Sequence, residues 1–286
     1  MAAAARAVAT RAPQAIINDP FAEPLVRAVG TDFFTRLASG DLELADDEPT
    51  ALRRLTDGIA VRTWFFDDFL LRGGEGGIRQ VVVLASGLDT RAYRLPLPPA
   101  TTVFEIDQPD VVAFKTQALR SLGATPTVDH RPLGVDLRNN WPQALSDAGY
   151  DPSRPTAWIA EGLLGYLPPE AQDQLLDAVT ANSAPGSRFA TDGLPNFTTM
   201  TAQDIQAMTR TLTERWRPLG FDIDLSELVY LGDRHRIEPY LTARGWTVEA
   251  VSTAELLPTC GLAPLGHGEV PFGDVIYLNA TRPETR

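Results

Sequence analysis

Between residues 80 and 192 the chain repeats one kind of unit: a short β-branched and aliphatic run, a small or acidic residue, then a helix-forming stretch. Gln80–Ala85 is the clearest run and is apolar from Val81 to Ala85, as expected for a parallel strand covered on both faces. Further strands are expected at Thr101–Ile106, Thr127–Leu133, Thr156–Glu161 and Ser187–Thr191. Their ends fall near residues 86, 107, 136, 161 and 192. A repeat of about 20 to 31 residues is the length of a strand-plus-helix unit, so the pattern predicts an α/β fold with a doubly wound parallel sheet.

The flanks read differently. Residues 1–75 carry helical spacing and no strand signal, which predicts an N-terminal helical cap. Asn18-Asp19-Pro20 looks like a helix start, with Asp19 as N-cap and Pro20 in the first helical position. A second helix is expected over residues 50–72, stopped by Gly73-Gly74. Residues 193–232 interrupt the alternation and are expected to form a helical lid insertion. A last helix at 236–244 then precedes strands near Trp246–Ser252 and Asp274–Ala280, expected as a late pair on the sheet edge. A chain of 286 residues suits one large domain, 1–286, carrying that cap and lid.

Charge removes several functions. With 37 acidic against 25 basic side chains the net charge is −12, so neither nucleic acid nor an anionic membrane is an expected partner. One cysteine, Cys260, forms no internal disulfide, and His130, His235 and His267 lie too far apart for a metal motif, so no metal is expected. No apolar run approaches a membrane span, and the N-terminus lacks a signal-like core. A cytoplasmic location is the expectation.

The strand ends carry the chemistry. Ala85-Ser86-Gly87 are small enough for a ligand to approach the backbone, and Gly87 suits a conformation that other residues resist. A dinucleotide turn needs three spaced glycines; here there is one, and Asp89 stands where a phosphate would be repelled. Asp107 ends the second strand, where an acid accepts hydrogen bonds from a ribose diol. The plain alternative is capping of the helix that starts at Pro109. Asp136-Leu137 ends the third strand and suits an adenine amino group and ring face, while Glu161 ends the fourth. Carboxylates gathered on one edge repel one another, and a cationic, phosphate-free nucleoside such as S-adenosyl-L-methionine would reconcile them. Arg62, on the helix entering the first strand, is the candidate cation for that ligand's carboxylate; a plain surface arginine is the alternative.

Six strings, NDPFA, AVRTWFFDDFL, LASGLDTRAYRL, FEIDQPDVVAFK, DLR and AEGLLGYL, resemble the leucine carboxyl methyltransferase family in order and spacing. The likeness is closest to its branch of actinobacterial S-adenosyl-L-methionine-dependent methyltransferases and runs from about Ala7 to Leu278. It implies a Rossmann-like methyltransferase sheet and S-adenosyl-L-methionine as cofactor. It implies that Arg62 holds the cofactor carboxylate, that Ala85, Ser86 and Gly87 line the methionine portion, and that Asp107 binds the ribose. It further implies that Asp136 and Leu137 contact adenine and that Glu161 lies near the cofactor amine. Family members usually carry further residues ahead of the point where this chain begins.

The activity so implied is methyl transfer to a carboxyl or hydroxyl oxygen of a small-molecule acceptor. A carboxylate needs no base, whereas a hydroxyl needs one, which Tyr166 or a histidine would help orient. Two alternatives stay open: a nicotinamide-dependent oxidoreductase, and a protein that binds S-adenosyl-L-methionine without turnover. Lys115, the single lysine against 24 arginines, lies within FEIDQPDVVAFK and is expected to pair with a nearby acid.

Overall fold

The computed structural model describes residues 1–42, 48–194, 216–221, 228–230, 232–264 and 275–284, with scattered positions between 201 and 214. One seven-stranded sheet is formed by β1 (Gln80–Leu84), β2 (Thr102–Asp107), β3 (Asp129–Gly134), β4 (Thr156–Ala160), β5 (Arg188–Gly193), β6 (Thr247–Ser252) and β7 (Ile276–Thr281). Its strand order is β3-β2-β1-β4-β5-β7-β6. The first five strands pair in parallel, with Val82 of β1 between Phe104 of β2 and Trp158 of β4. The strand order reverses between β1 and β4, and in such sheets the crevice outside that reversal is where ligands bind.

The last two strands depart from the parallel pattern. Arg282 donates its N–H to the Ser187 carbonyl at 2.8 Å and accepts from the Gly186 N–H at 2.9 Å. The end of β7 therefore lies beside the start of β5, so β7 runs against it. The expected late pair is present on the sheet edge, with β7 inserted between β5 and β6.

The helices are α1 (Ala2–Thr10), α2 (Ala22–Val29), α3 (Asp32–Ser39), α4 (Glu48–Glu75), α5 (Arg91–Arg94), α6 (Pro109–Ser121), α7 (Trp141–Asp147), α8 (Pro169–Ala181), α9 (Ile237–Thr242) and α10 (Thr253–Thr259). The chain divides into two compact units. The first holds residues 1–65, 194–231 and 251–276; the second holds 66–193, 232–250 and 277–286. Most of the expected helical insertion at 193–232 lies outside the described residues.

In the first unit, buried alanines along α1 leave room for α2 and α3 to pack closely. Phe33 of α3 meets Phe221 at 5.3 Å and Trp216 at 6.0 Å between ring centres. In the second unit β1 and β4 are buried along their whole length, which explains why each is apolar after its first residue, Gln80 or Thr156. Val82, Leu84, Phe104, Ile106, Trp158 and Phe189 form the sheet's share of that core, met by Leu175, Leu176 and Val179 of α8. Each such side chain contributes about 1.5–3 kcal/mol of burial free energy, and together they fix where the strand ends lie.

Two local expectations are corrected. Asp19 does not cap a helix at Pro20; α2 begins at Ala22. Its carboxylate instead accepts the Phe21 N–H and pairs with Arg6 at 2.8 Å, nearly out of solvent. Nor do Gly73-Gly74 stop α4, which continues to Glu75 and is followed by a turn at Gly77, where φ is +94°. Those two glycines are there for contact. A Cβ on Gly74 would stand 2.7 Å from Pro98 Cδ, and one on Gly73 would meet Ile78 and Ala157.

Gly74→Ala therefore sets a helix-propensity gain of about 1 kcal/mol against a clash with a rigid ring that costs about 1–3 kcal/mol. The clash is expected to win, lowering the midpoint of urea unfolding. A variant at least as stable as the wild type would show that Pro98 yields without cost.

Candidate functional site

The carboxyl ends of β1, β2, β3 and β4 lie side by side in the second unit, as the parallel pairing requires. After β1 the backbone turns through two positive φ values, +52° at Ala85 and +48° at Gly87. For alanine this conformation is strained by about 1–2 kcal/mol, a cost that persists only where the surroundings demand it. Between them Ser86 is nearly buried, its N–H donating to the Ile106 carbonyl of β2 at 3.1 Å.

Asp107 ties the first two strand ends together. Its Oδ2 accepts the Gly87 N–H at 2.6 Å, and its Oδ1 accepts the Gln108 N–H at 2.7 Å. Each carboxylate oxygen has two lone pairs, so one on each remains after these bonds for a diol. Two residues earlier on the same strand, Glu105 is fully buried and bonded to Lys115 Nζ at 2.5 Å. The expected pairing of the lone lysine with an acid is thus observed.

At the third strand end, Asp136 is engaged by its own neighbours. Arg138 reaches both oxygens, at 3.0 Å from Nε and 2.5 Å from Nη2, and its N–H donates to Oδ1 at 2.8 Å. Those bonds, with a further one from the Gln108 side chain, hold the Asp136 carboxyl well below the usual carboxylate range. Leu137 is half-buried against the core. A ligand at Asp136 shares that carboxylate with Arg138.

At the fourth strand end, Glu161 Oε2 lies 2.8 Å from Arg91 Nη1. Arg91 is buried, and it also bonds Asp67 Oδ1 at 2.7 Å and Asp89 Oδ2. Arg94 grips both oxygens of Asp67, at 2.6 and 2.8 Å. Burial alone would raise the Asp89 carboxyl, but the charges of Arg91, Lys115 and Arg94 outweigh it and bring Asp89 down to about 2. On the far side of the turn, Gly162 donates its N–H to Asp192 Oδ1 at 2.7 Å.

Part of the charge on this edge is compensated by the chain's own arginines, so repulsion among the carboxylates asks less of a ligand. Asp89, paired with Arg91, also repels phosphate less than a bare acid would; what disfavours a pyrophosphate is the missing glycines. Ala85, Ser86, Gly87, Asp107, Asp136, Leu137 and Glu161 stand together on this edge. Arg62 lies half-buried on α4 within the first unit. Sequence reading missed Asp67, Asp89 as an ion-pair partner, Arg91, Arg94, Gln108 and Asp192. The closely spaced arginines of LDTRAYRL, each beside or near an acid, were the available signal.

The histidines divide. His130 Nε2 stands 3.1 Å from Glu105 in the interior, and His235 Nδ1 bonds Asp173 at 2.6 Å near the surface. His267 lies outside the described residues. Among the described residues no cluster of His, Cys, Asp or Glu has the makings of a metal site, and no helix is long and apolar enough to cross a membrane.

Comparison with known proteins follows this geometry. The sequence profile of the family described as "Leucine carboxyl methyltransferase" matches residues 1–180. A protein of Mycobacterium tuberculosis named "Putative S-adenosyl-L-methionine-dependent methyltransferase" is 56% identical over 283 residues, 98% of this chain and 89% of that protein. One of the same name from Mycobacterium sp. (strain JLS) is 54% identical over 288 residues, 99% of this chain and 94% of that one. Among solved structures, a "putative methyltransferase" from Thermobifida fusca is similar with a TM-score of 0.52 and 19% identity, covering 98% of this chain and 94% of that one. A DUF574 family protein from Streptomyces avermitilis gives a TM-score of 0.56 at 15% identity, covering 92% and 96%. At those identities the two structures speak for the fold alone.

The Asp89 contact carries a pH signature. Because the folded carboxyl titrates near 2 and the unfolded one near 4, its contribution is complete above about pH 4 and disappears as the pH falls toward 2. Asp89→Asn is expected to cost about 2 kcal/mol at pH 7, with the deficit shrinking between pH 4 and pH 2. Urea unfolding of both proteins across that range measures it; a deficit that is constant with pH would show that the charge of Asp89 is not what Arg91 requires.

Proposed function

The chain belongs to the leucine carboxyl methyltransferase family and is an S-adenosyl-L-methionine-dependent methyltransferase, and we propose that it transfers the methyl group to a carboxyl or hydroxyl oxygen of a small molecule. The observation that carries the reading is Asp107. Its carboxylate spans the turn after β1 and the start of α6 and keeps a lone pair on each oxygen for a ribose diol. The small residues Ala85, Ser86 and Gly87 let a ligand meet backbone at the turn, and the single glycine there suits a nucleoside without phosphates.

In this proposal Ser86 and Gly87 line the methionine portion, Asp136 and Leu137 meet the adenine, and Glu161 receives the amine. When bound, the cofactor supplies a methyl group on a sulfonium, already activated toward an oxygen nucleophile. The protein's task is then alignment and exclusion of water, worth up to about 7–11 kcal/mol of barrier. A carboxylate acceptor attacks as it stands. A hydroxyl acceptor loses its proton on the way, and Tyr166, exposed on the turn after Glu161, is the proposed group to orient it.

Isothermal titration calorimetry tests the cofactor part. Wild-type protein is expected to bind S-adenosyl-L-methionine in the micromolar range, and Asp107→Ala to weaken it about 10- to 100-fold. Preferential binding of NAD would sink the reading in favour of an oxidoreductase. A panel of small carboxylic acids and phenols, read by the mass increase of one methyl group, tests the transfer; binding with no product from either class would leave a protein that holds the cofactor without turnover.

A further inference from the structure

Beneath the turn after β1 lies a buried ammonium group. Lys115 of α6 is 1% exposed, and its Nζ donates to Glu105 Oε2 at 2.5 Å and to Ser86 Oγ at 3.2 Å. Neutralising a lysine at this depth requires a carboxylate, and Glu105 supplies it. The contact with Ser86 is a second feature, and it points from the interior to the face of the turn where a ligand would lie.

The hydroxyl of a serine has one proton to give and two lone pairs to receive with. A lysine ammonium can only donate, so Lys115 occupies a lone pair of Ser86 Oγ. The Ser86 proton must point to a different acceptor, and none among the described residues takes it. The backbone of Ser86 is held in place, with positive-φ residues Ala85 and Gly87 on either side and its N–H fixed to the Ile106 carbonyl.

We propose that Lys115 is a positioning residue that makes the Ser86 hydroxyl a dedicated donor to the carboxylate of the cofactor's methionine portion. Within that portion the ammonium and the sulfonium are cations and accept nothing, so the carboxylate is the group an outward-pointing hydroxyl proton meets. Glu105 acts one step further back, holding the ammonium in place from beneath. The proposal rests on the S-adenosyl-L-methionine reading above, and the experiment separates the two.

The probes are S-adenosyl-L-methionine and 5′-methylthioadenosine, the neutral thioether nucleoside that lacks the arm bearing the carboxylate and ammonium. Ser86→Ala removes the donor. The double variant Lys115→Met with Glu105→Gln removes both buried charges together, so that neither is left alone in the interior. Both proteins are expected to bind S-adenosyl-L-methionine about 10- to 100-fold more weakly, and 5′-methylthioadenosine within about twofold of wild type. A lysine needed only to neutralise Glu105 predicts a double variant of undiminished affinity, and that result would overturn the proposal. Equal loss of both probes would overturn it too, since the effect would not be directed at the carboxylate. Should the double variant fail to fold, Ser86→Ala decides alone by the same comparison. Wild-type protein that binds neither probe would remove the functional reading itself, and the proposal with it.

Discussion

The carboxyl edge of the sheet is organised around one buried guanidinium group. Arg91 meets Asp67 from α4, Asp89 from the turn after β1 and Glu161 from the end of β4. These three acids come from parts of the chain separated by 22 and 72 residues, which only the folded sheet brings together. Taking such a charge out of water costs several kcal/mol, and the cost is recovered only when every partner is in place. The knot is therefore specific more than it is stabilising: any shift of α4, of the turn or of β4 leaves a charge buried without its counterpart. Arg94, gripping Asp67 from the next turn of α5, fixes one of the three from a second side.

Parts of the chain were legible in proportion to how local their physics is. The strands were, because a stretch buried on both faces must be largely apolar, and β1 and β4 are so after their first residues; their observed limits lie within two residues of those expected. The ends of strands were legible for the same reason, and with them the positions of Ser86, Gly87, Asp107, Asp136 and Glu161. Helix punctuation was less so. Gly73-Gly74 reads as a stop because glycine weakens helices, yet α4 runs through both, since the absence of side chains there is what lets Pro98, Ile78 and Ala157 approach. Asp19 reads as a cap because it precedes a proline, yet its carboxylate serves Arg6, a residue 13 positions away.

Apart from the pairing of Lys115 with an acid, the ion pairs were not legible, and the reason is geometric. Whether an acid at a strand end is bare or paired depends on residues that no spacing rule connects, such as Asp67 and Arg91. From sequence the carboxylates of this edge appear as a surplus of negative charge awaiting a cation. In the structure Arg91, Arg94, Arg138 and Lys115 each meet one or more of the acids. The distinguishing feature of Asp107 is then not that it is charged but that its hydrogen-bond partners are backbone N–H groups. It holds the turn in shape while keeping capacity for a further donor.

The position of β7 bears on how the fold is reached. Among the described residues, β6 neighbours no strand of the sheet but β7, and β7 follows the other six in sequence. Until residues 276–281 are inserted beside β5, the side chains of Tyr240, Leu241 and Trp246 lack Ala280, which completes their side of the core. Pairings distant in sequence form late because chain entropy opposes them until other contacts have shortened the loop. The first five strands can thus assemble among themselves, but one edge of their sheet stays open until β7 arrives beside β5. That strand is in this sense a closing clasp, and the edge it seals is the last part of the sheet to be committed.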